Sequence, residues 1–401
     1  MRACSRAFQG LFEAISVTYS MSFLETLARI EHRLRGVVGV LPPSVGVRLF
    51  SAGRTAFAKE FAQDVPPKVF IPPSELGVTA WGLRFQLPLW NAAGMFKKGE
   101  GYDVVSRQGA GGYVAGTTTS RAREGNVRNG VRWPAIPYAH SHAGSNWMGL
   151  PNEGHAVVAA RLARIERRAG CPVGASVSAE PGLDDAMATP ELVEGIKLYD
   201  GAGVDYIELN ESCPNVHGYQ GATILDAALL KRLDAIATHV LAHRSRRLPV
   251  VAKFSTDVNL EQIPELVQTL IERGFDGIVL GNTSTRYAEY RSAIDQRDTS
   301  LYDYFTSTYG GGLSGGILRL DSLAAARCAV DAVRALAPSH EFQVIRCGGI
   351  SSAADIVESH KAGVLLNQWY VGYFEAFALA GHNVYGAVVS RMSESLTETL
   401  S

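Results

Sequence analysis

The sequence is short of the features that mark several large protein classes. Its five cysteines, Cys4, Cys171, Cys213, Cys328 and Cys347, are scattered, odd in number and contain no C-x-x-C pair. A disulfide framework or a zinc site therefore finds no support, and a reducing cytoplasm fits best. No apolar run approaches the roughly 18–20 residues that span a bilayer. Neither sign of charge dominates: 38 Lys and Arg against 39 Asp and Glu leave a formal net charge of -1. So balanced a chain offers no basic footprint for nucleic acid. No glycine-rich turn follows the first predicted strand, which counts against a dinucleotide-binding doubly wound sheet.

What the sequence does have is apolar bulk. Hydrophobic residues make up 46% of its 401 positions. That suits one α/β barrel of about 250–300 residues with an extension. Residues 1–20 carry arginine and serine with little acid, a faint likeness to a transit peptide. Composition favours a plain frayed terminus there, or a start at Met21. Phe23, Leu24, Leu27, Ile30, Leu34 and Val37 recur at three- and four-residue steps and predict one amphipathic helix. Pro42 and Pro43 end it, a second helix runs Val45 to Phe61, and Pro66 to Pro73 reads as a linker. Residues 1–75 are thus expected to form a helical extension, and 76–401 a barrel domain.

From about Leu76 short apolar runs alternate with helical segments. The runs are 87–91, 112–116, 173–177, 206–210, 249–254, 277–281, 342–347 and 364–370. Eight continuously apolar strands alternating with helices predict a closed (β/α)8 TIM barrel with both strand faces buried. Its active site would lie at the carboxyl ends of the strands. Polar residues follow those ends: Asn91 to Lys97, Thr117, Asn146 to Asn152, Asn210 to Asn215, Lys253, Gly281 to Ser284, and the glycine clusters Gly311–Gly315 and Cys347–Gly349. Singly, each is more often a turn former or cap. Together, Asn146, Asn210, Asn215 and Asn282 could read the alternating N–H and C=O edges of a planar ring. Lys97 or Lys253 could supply charge for an anionic ligand, and the late glycine clusters fit a phosphate cradle.

Asn91–Gly94 with Lys97, Met148–Asn152, Ser212–Asn215 and Gly311–Gly315 occur in one order over roughly residues 76–375, and in this the chain resembles the dihydroorotate dehydrogenases. The resemblance implies oxidation of dihydroorotate to orotate with bound FMN, within pyrimidine (UMP) biosynthesis. It implies orotate contacts from Lys97, Asn146, Met148, Gly149, Leu150, Asn210, Asn215, Asn282 and Thr283. Flavin contacts would come from Ala93, Gly94, Thr117, Ser176, Lys253 and Gly281, with Ser314, Gly315, Gly348, Gly349 and Tyr370 toward the phosphate. Cys213 matches the family's catalytic base, and a thiol needs only modest tuning for that work. The family's soluble branch carries cysteine there and passes electrons to fumarate or, through a partner flavoprotein, to NAD. The N-terminal helices instead resemble the quinone-using branch, and quinone at a membrane surface is slightly favoured. A homodimer is left open.

Some stretches depart from the pattern. Arg286 to Tyr309 reads as an enlarged loop, Val371 stands where a hydroxyl often helps hold phosphate, Asn367-Gln368-Trp369 makes the last strand unusually polar, and Arg128 to Trp133 lacks a Pro-Arg pair. Two other readings compete. A flavin barrel reducing uracil-type bases would bring cysteine clusters, and one reducing uridine in RNA would bring a basic surface. A non-catalytic ligand-binding barrel is disfavoured by the full set of Lys97, Cys213 and asparagines.

Overall fold

The computed structural model describes residues 21–38, 40–211, 225–244 and 246–399. Cys4, the rest of residues 1–20, Ser212, Cys213 and Asn215 lie outside the described residues. Eight parallel strands form one sheet: β1 Leu89–Asn91, β2 Tyr113–Thr118, β3 Val173–Val177, β4 Tyr206–Asn210, β5 Val250–Phe254, β6 Gly277–Leu280, β7 Gln343–Cys347 and β8 Leu366–Trp369. Their order is β1-β8-β7-β6-β5-β4-β3-β2. The seam between β1 and β2 is closed by other means. Asn91 Nδ2 donates to Val114 O at 2.8 Å, and beyond the strand end Gly94 N donates to Gly116 O and Gly116 N to Phe96 O. Every strand expected from the sequence is present, because barrel strands buried on both faces are mostly apolar, with Glu208 in β4 and Asn367 and Gln368 in β8 among the exceptions.

Alternate residues nevertheless do different jobs. Ile207, Leu209, Val250, Ala252, Ile278 and Leu280 face the surrounding helices in the main core. Trp90, Val114, Tyr206, Val251, Val279, Ile345 and Leu366 fill the barrel interior. Below them, Trp81 and Phe85 plug the amino-terminal end, with Trp81 Nε1 donating to Asp276 O at 2.9 Å. The same alternation turns Glu208, Lys253, Cys347 and Gln368 inward, one step nearer the carboxyl ends.

Among the described residues two α-helices precede the barrel, α1 Phe23–Val38 and α2 Pro43–Phe61. Pro43 opens α2 instead of merely ending α1: its fixed φ and missing N–H suit a first turn. Phe61 is buried among Phe96, Tyr373 and Phe377, with ring centroids 5.0–6.2 Å away. α1 packs along the helix Val371–Ala380, and Arg29 Nη2 reaches Leu379 O. Of its apolar stripe only Leu24 is buried, beside Ala28; Phe23 is 79% exposed and Leu27, Ile30, Leu34 and Val37 are also exposed.

Residues 286–309 are not a loose loop. They hold the helices Tyr287–Tyr290 and Thr299–Thr308. Tyr290, Ile294, Leu301, Tyr302 and Phe305 are buried in a second core with Val47 of α2 and with Ile136, Tyr138 and Leu313. Many tyrosines disguised this core in the sequence, since tyrosine is as common on surfaces as inside.

Candidate functional site

The second core carries a three-stranded antiparallel sheet over the carboxyl end of the barrel. Its strands are Ala135–Tyr138, Ala143–Asn146 and Gly312–Gly315. Gly312 pairs with Asn146 and Gly315 with Ala143, so Asn146 and Ser314 hang from one rigid piece. Beneath it is a cavity lined from every barrel strand end except that of β3. Ala92, Ala93, Gly94 and Lys97 come from β1 and the turn after it, and Thr117 from β2. Asn210, Lys253, Asn282 with Thr283, Cys347 and Tyr370 come from β4 to β8, while Asn146, Met148, Leu150, Pro151 and Ser314 close it from above.

The polar groups are oriented by one another. Asn282 Nδ2 donates to Asn210 Oδ1 at 3.4 Å, Asn210 Nδ2 donates to Thr117 Oγ1 at 2.9 Å, and Thr117 Oγ1 lies 3.0 Å from Ser176 Oγ. Such a chain fixes which end of each amide faces the cavity. Lys97 Nζ donates back to Gly94 O, which holds its charge over the β1 turn. The Thr283 hydroxyl is buried, lines the cavity and has no hydrogen-bond partner among the described residues. A buried unpaired hydroxyl is costly unless a ligand completes it.

The floor is charged. Lys253 and Glu208 are almost wholly buried, with Lys253 Nζ 3.3 Å from Glu208 Oε1. Lys253 Nζ also donates to Gln368 Oε1 at 3.0 Å, and Gln368 Nε2 donates to Glu208 Oε2 at 2.8 Å. This accounts for half of the oddly polar last strand: Gln368 bridges a buried ion pair. Asn367 turns the other way and donates to Pro88 O. Burial works against the Lys253 ammonium, but Cys347 and Glu208 outweigh it and raise its pKa. The Cys347 thiol is itself pushed up by burial, and the ion-pair contact of Lys253 is with Glu208.

A second cavity continues from the first, sharing Asn282, Ser314, Cys347 and Tyr370. It is lined by Gly315, Gly316, Gly348, Gly349, Ser351 and Val371, and its outer part by His142, Glu375, Leu379 and Arg391. The glycines are required there. A Cβ on Gly349 would lie 2.4 Å from Arg319 Cα, and one on Gly315 2.5 Å from His142 O. The helix Val371–Ala380 starts at this wall with no side-chain cap, leaving N–H groups and a positive dipole end for an anion.

Tyr370 joins the cavities and meets the helical extension. Arg54 of α2 donates to its hydroxyl. Burial would raise this phenol, but Arg54 and Lys97 outweigh burial and set its pKa below the ordinary value.

Most of the described residues expected at the site share one trough, and three of them do not line it. Ser176 sits behind Thr117 and orients it. Gly149 makes the turn at φ +72°, where a Cβ would strike the Asn126 amide. Gly281 lets β6 pass β7, since its Cβ would meet Cys347 O. Sequence reading missed Glu208 and Arg54. A lone glutamate inside an apolar strand run was a signal for the first. Nothing local marks Arg54, whose partner is 316 positions away.

The chain is similar to known proteins. A family model described as dihydroorotate dehydrogenase matches residues 75–392. A protein named dihydroorotate dehydrogenase (quinone) from a Chelativorans species is 30% identical over 323 residues, covering 80% of this chain and 81% of that one. One of the same name from Methylococcus capsulatus is 30% identical over 351 residues, covering 86% and 94%. Among solved structures, DHODH from Eimeria tenella in complex with ferulenol superposes with a TM-score of 0.70. It covers 87% of this chain and 92% of that one at 22% identity, a likeness of fold.

Proposed function

The chain belongs to the dihydroorotate dehydrogenase family, and from that premise we propose how its site is used. It oxidises dihydroorotate to orotate as a flavin-dependent oxidoreductase, a step toward UMP. The observation that carries the reading is the continuity of the two cavities: amides and a lysine at one end, glycine turns at a helix start at the other.

The flavin is FMN, one per chain and non-covalent. Gly315, Gly348, Gly349 and the first turn after Tyr370 would hold its phosphate, with Ala93, Gly94, Thr117 and Lys253 beside its ring. When bound, the flavin accepts the hydride that leaves the substrate. Lys97 pairs with the substrate carboxylate, while Asn146, Asn210, Asn282 and the open Thr283 hydroxyl match its ring edges, joined by Asn215. Cys213, three positions beyond Asn210 in the sequence, takes the carbon-bound proton. Met148, Leu150 and Pro151 exclude water above the ring.

The acceptor is a quinone, and residues 1–75 act as an extension of the barrel domain that serves it. The exposed apolar stripe of α1 continues through Val40 and Leu49, and an amphipathic surface of this kind lies in a lipid interface. No helix among the described residues is long and apolar enough to cross a membrane. Arg54 brings α2 to the edge of the trough through Tyr370.

Acid release and mass spectrometry test the cofactor: FMN is expected, and FAD, or no flavin in active protein, overturns the reading. An acceptor screen tests the rest. Turnover with a short-chain quinone is expected, and full-length protein that ignores quinones but uses fumarate sinks that part.

A further inference from the structure

Two buried side chains that touch Lys253 are unused by this account. Glu208 and Gln368 are 0% exposed, and Lys253 is 2% exposed. All three point inward from β4, β8 and β5, near the carboxyl ends of the strands. The Glu208 carboxyl has few partners. Oε2 accepts from Gln368, but Oε1 has only the 3.3 Å ion contact with Lys253 and no hydrogen bond. A buried ion pair adds little stability over a well-packed apolar replacement. The interior just below is apolar, with Tyr206, Val251, Ile345 and Leu366, so an apolar layer could have filled this level too. The pair therefore calls for an electrostatic role.

Lys253 is the only member of the three that also lines the cavity. An uncompensated ammonium at that floor would attract negative charge strongly across a low-dielectric gap. A flavin gains negative charge when it is reduced. With Glu208 beside it, Lys253 presents a dipole instead of a full charge. Gln368 fixes that dipole by bonding to both partners at once.

We propose that Glu208 and Gln368 are positioning residues that hold Lys253 in a charge-neutral pair beneath the cavity, and so limit how strongly the site favours reduced flavin. This keeps the reduced cofactor able to give its electrons up. The inference rests on the flavin assignment above.

The test is the midpoint potential of the bound flavin, measured on purified holoenzyme by equilibration with a redox dye. Glu208→Gln is nearly isosteric and leaves Lys253 without its anion. It is expected to shift the reduced-over-oxidised flavin affinity ratio at least tenfold, about 30 mV upward for a two-electron couple. The double variant Glu208→Gln with Gln368→Glu returns one carboxylate to the other side of Lys253. It is expected to bring the ratio back to within about threefold of wild type, about 14 mV. An unmoved or lowered potential in Glu208→Gln overturns the proposal. So does a raised potential that the double variant leaves in place, because lost packing alone would not be restored by moving the charge. Wild-type protein that cannot be loaded with flavin overturns the cofactor reading itself, whereas yellow protein with unmoved potentials overturns only this inference.

Discussion

Phe61 is the joint between the helical extension and the barrel, and cutting it should separate two functions. Its ring is 2% exposed. It stacks on Phe96 and meets Phe377 edge-on, the latter with centroids 5.0 Å apart. Replacing such a ring by alanine costs about 3–5 kcal/mol, from lost transfer energy and an unfilled cavity. α2 has a second anchor near its other end, where Val47 is buried and Ser51 Oγ donates to Ala135 O. The loss should therefore appear as local opening of the carboxyl half of α2, where Arg54 lies, and not as collapse of the barrel. At about 1.4 kcal/mol per tenfold, opening becomes more frequent by roughly a hundred- to several-thousand-fold. Hydrogen exchange read by mass spectrometry would show it as lost protection in residues 50–61. Flavin reduction by dihydroorotate should survive in Phe61→Ala, while steady-state turnover with quinone should fall. Leu49→Ala, at a site 57% exposed, is the control and should stay within about ±0.5 kcal/mol. Unchanged protection in α2, or an equal loss across α2 and the barrel strands, would refute the reasoning.

Three further outcomes are expected. Cys213→Ala should abolish flavin reduction by dihydroorotate in a stopped-flow half-reaction while flavin stays bound, and Cys213→Ser should retain a little activity that rises with pH; near-normal reduction in the alanine variant places the base elsewhere. Gly349→Ala puts a Cβ 2.4 Å from Arg319 Cα at a backbone φ of +74° and should purify folded but largely free of FMN, as absorbance at the flavin band will report. Burial lowers the His155 pKa from 6.5 to about 4, so the native imidazole stays neutral where the unfolded one gains a proton. Stability is then full above about pH 6.5 and falls by on the order of 3 kcal/mol as pH drops toward 4. His155→Gln should flatten that slope in urea midpoints taken across the window, and an unchanged slope would show that other groups produce it.

The sequence by itself determined the barrel. Eight apolar runs at strand length, separated by amphipathic helices, leave few other folds, because strands buried on both faces are mostly apolar. It also marked the residues at the strand ends, since a buried sheet tolerates Asn210, Asn282 or Lys97 only where it stops. Tertiary structure decided which of these meet. Gly149, Ser176 and Gly281 carry the same kind of signal as Gly94 and Thr117, yet they shape turns and a strand crossing outside the trough. It decided that residues 286–309 pack as a core against the three-stranded sheet, because tyrosines reveal burial only through their neighbours. It turned the apolar stripe of α1 outward, a choice that periodicity cannot make, since the same stripe would suit a protein core or a lipid surface. It also brought together Lys253, Glu208 and Gln368 from three strands, and Arg54 with Tyr370. Such pairings depend on barrel closure and on helix docking, and no local pattern in the chain encodes a partner on another strand or helix.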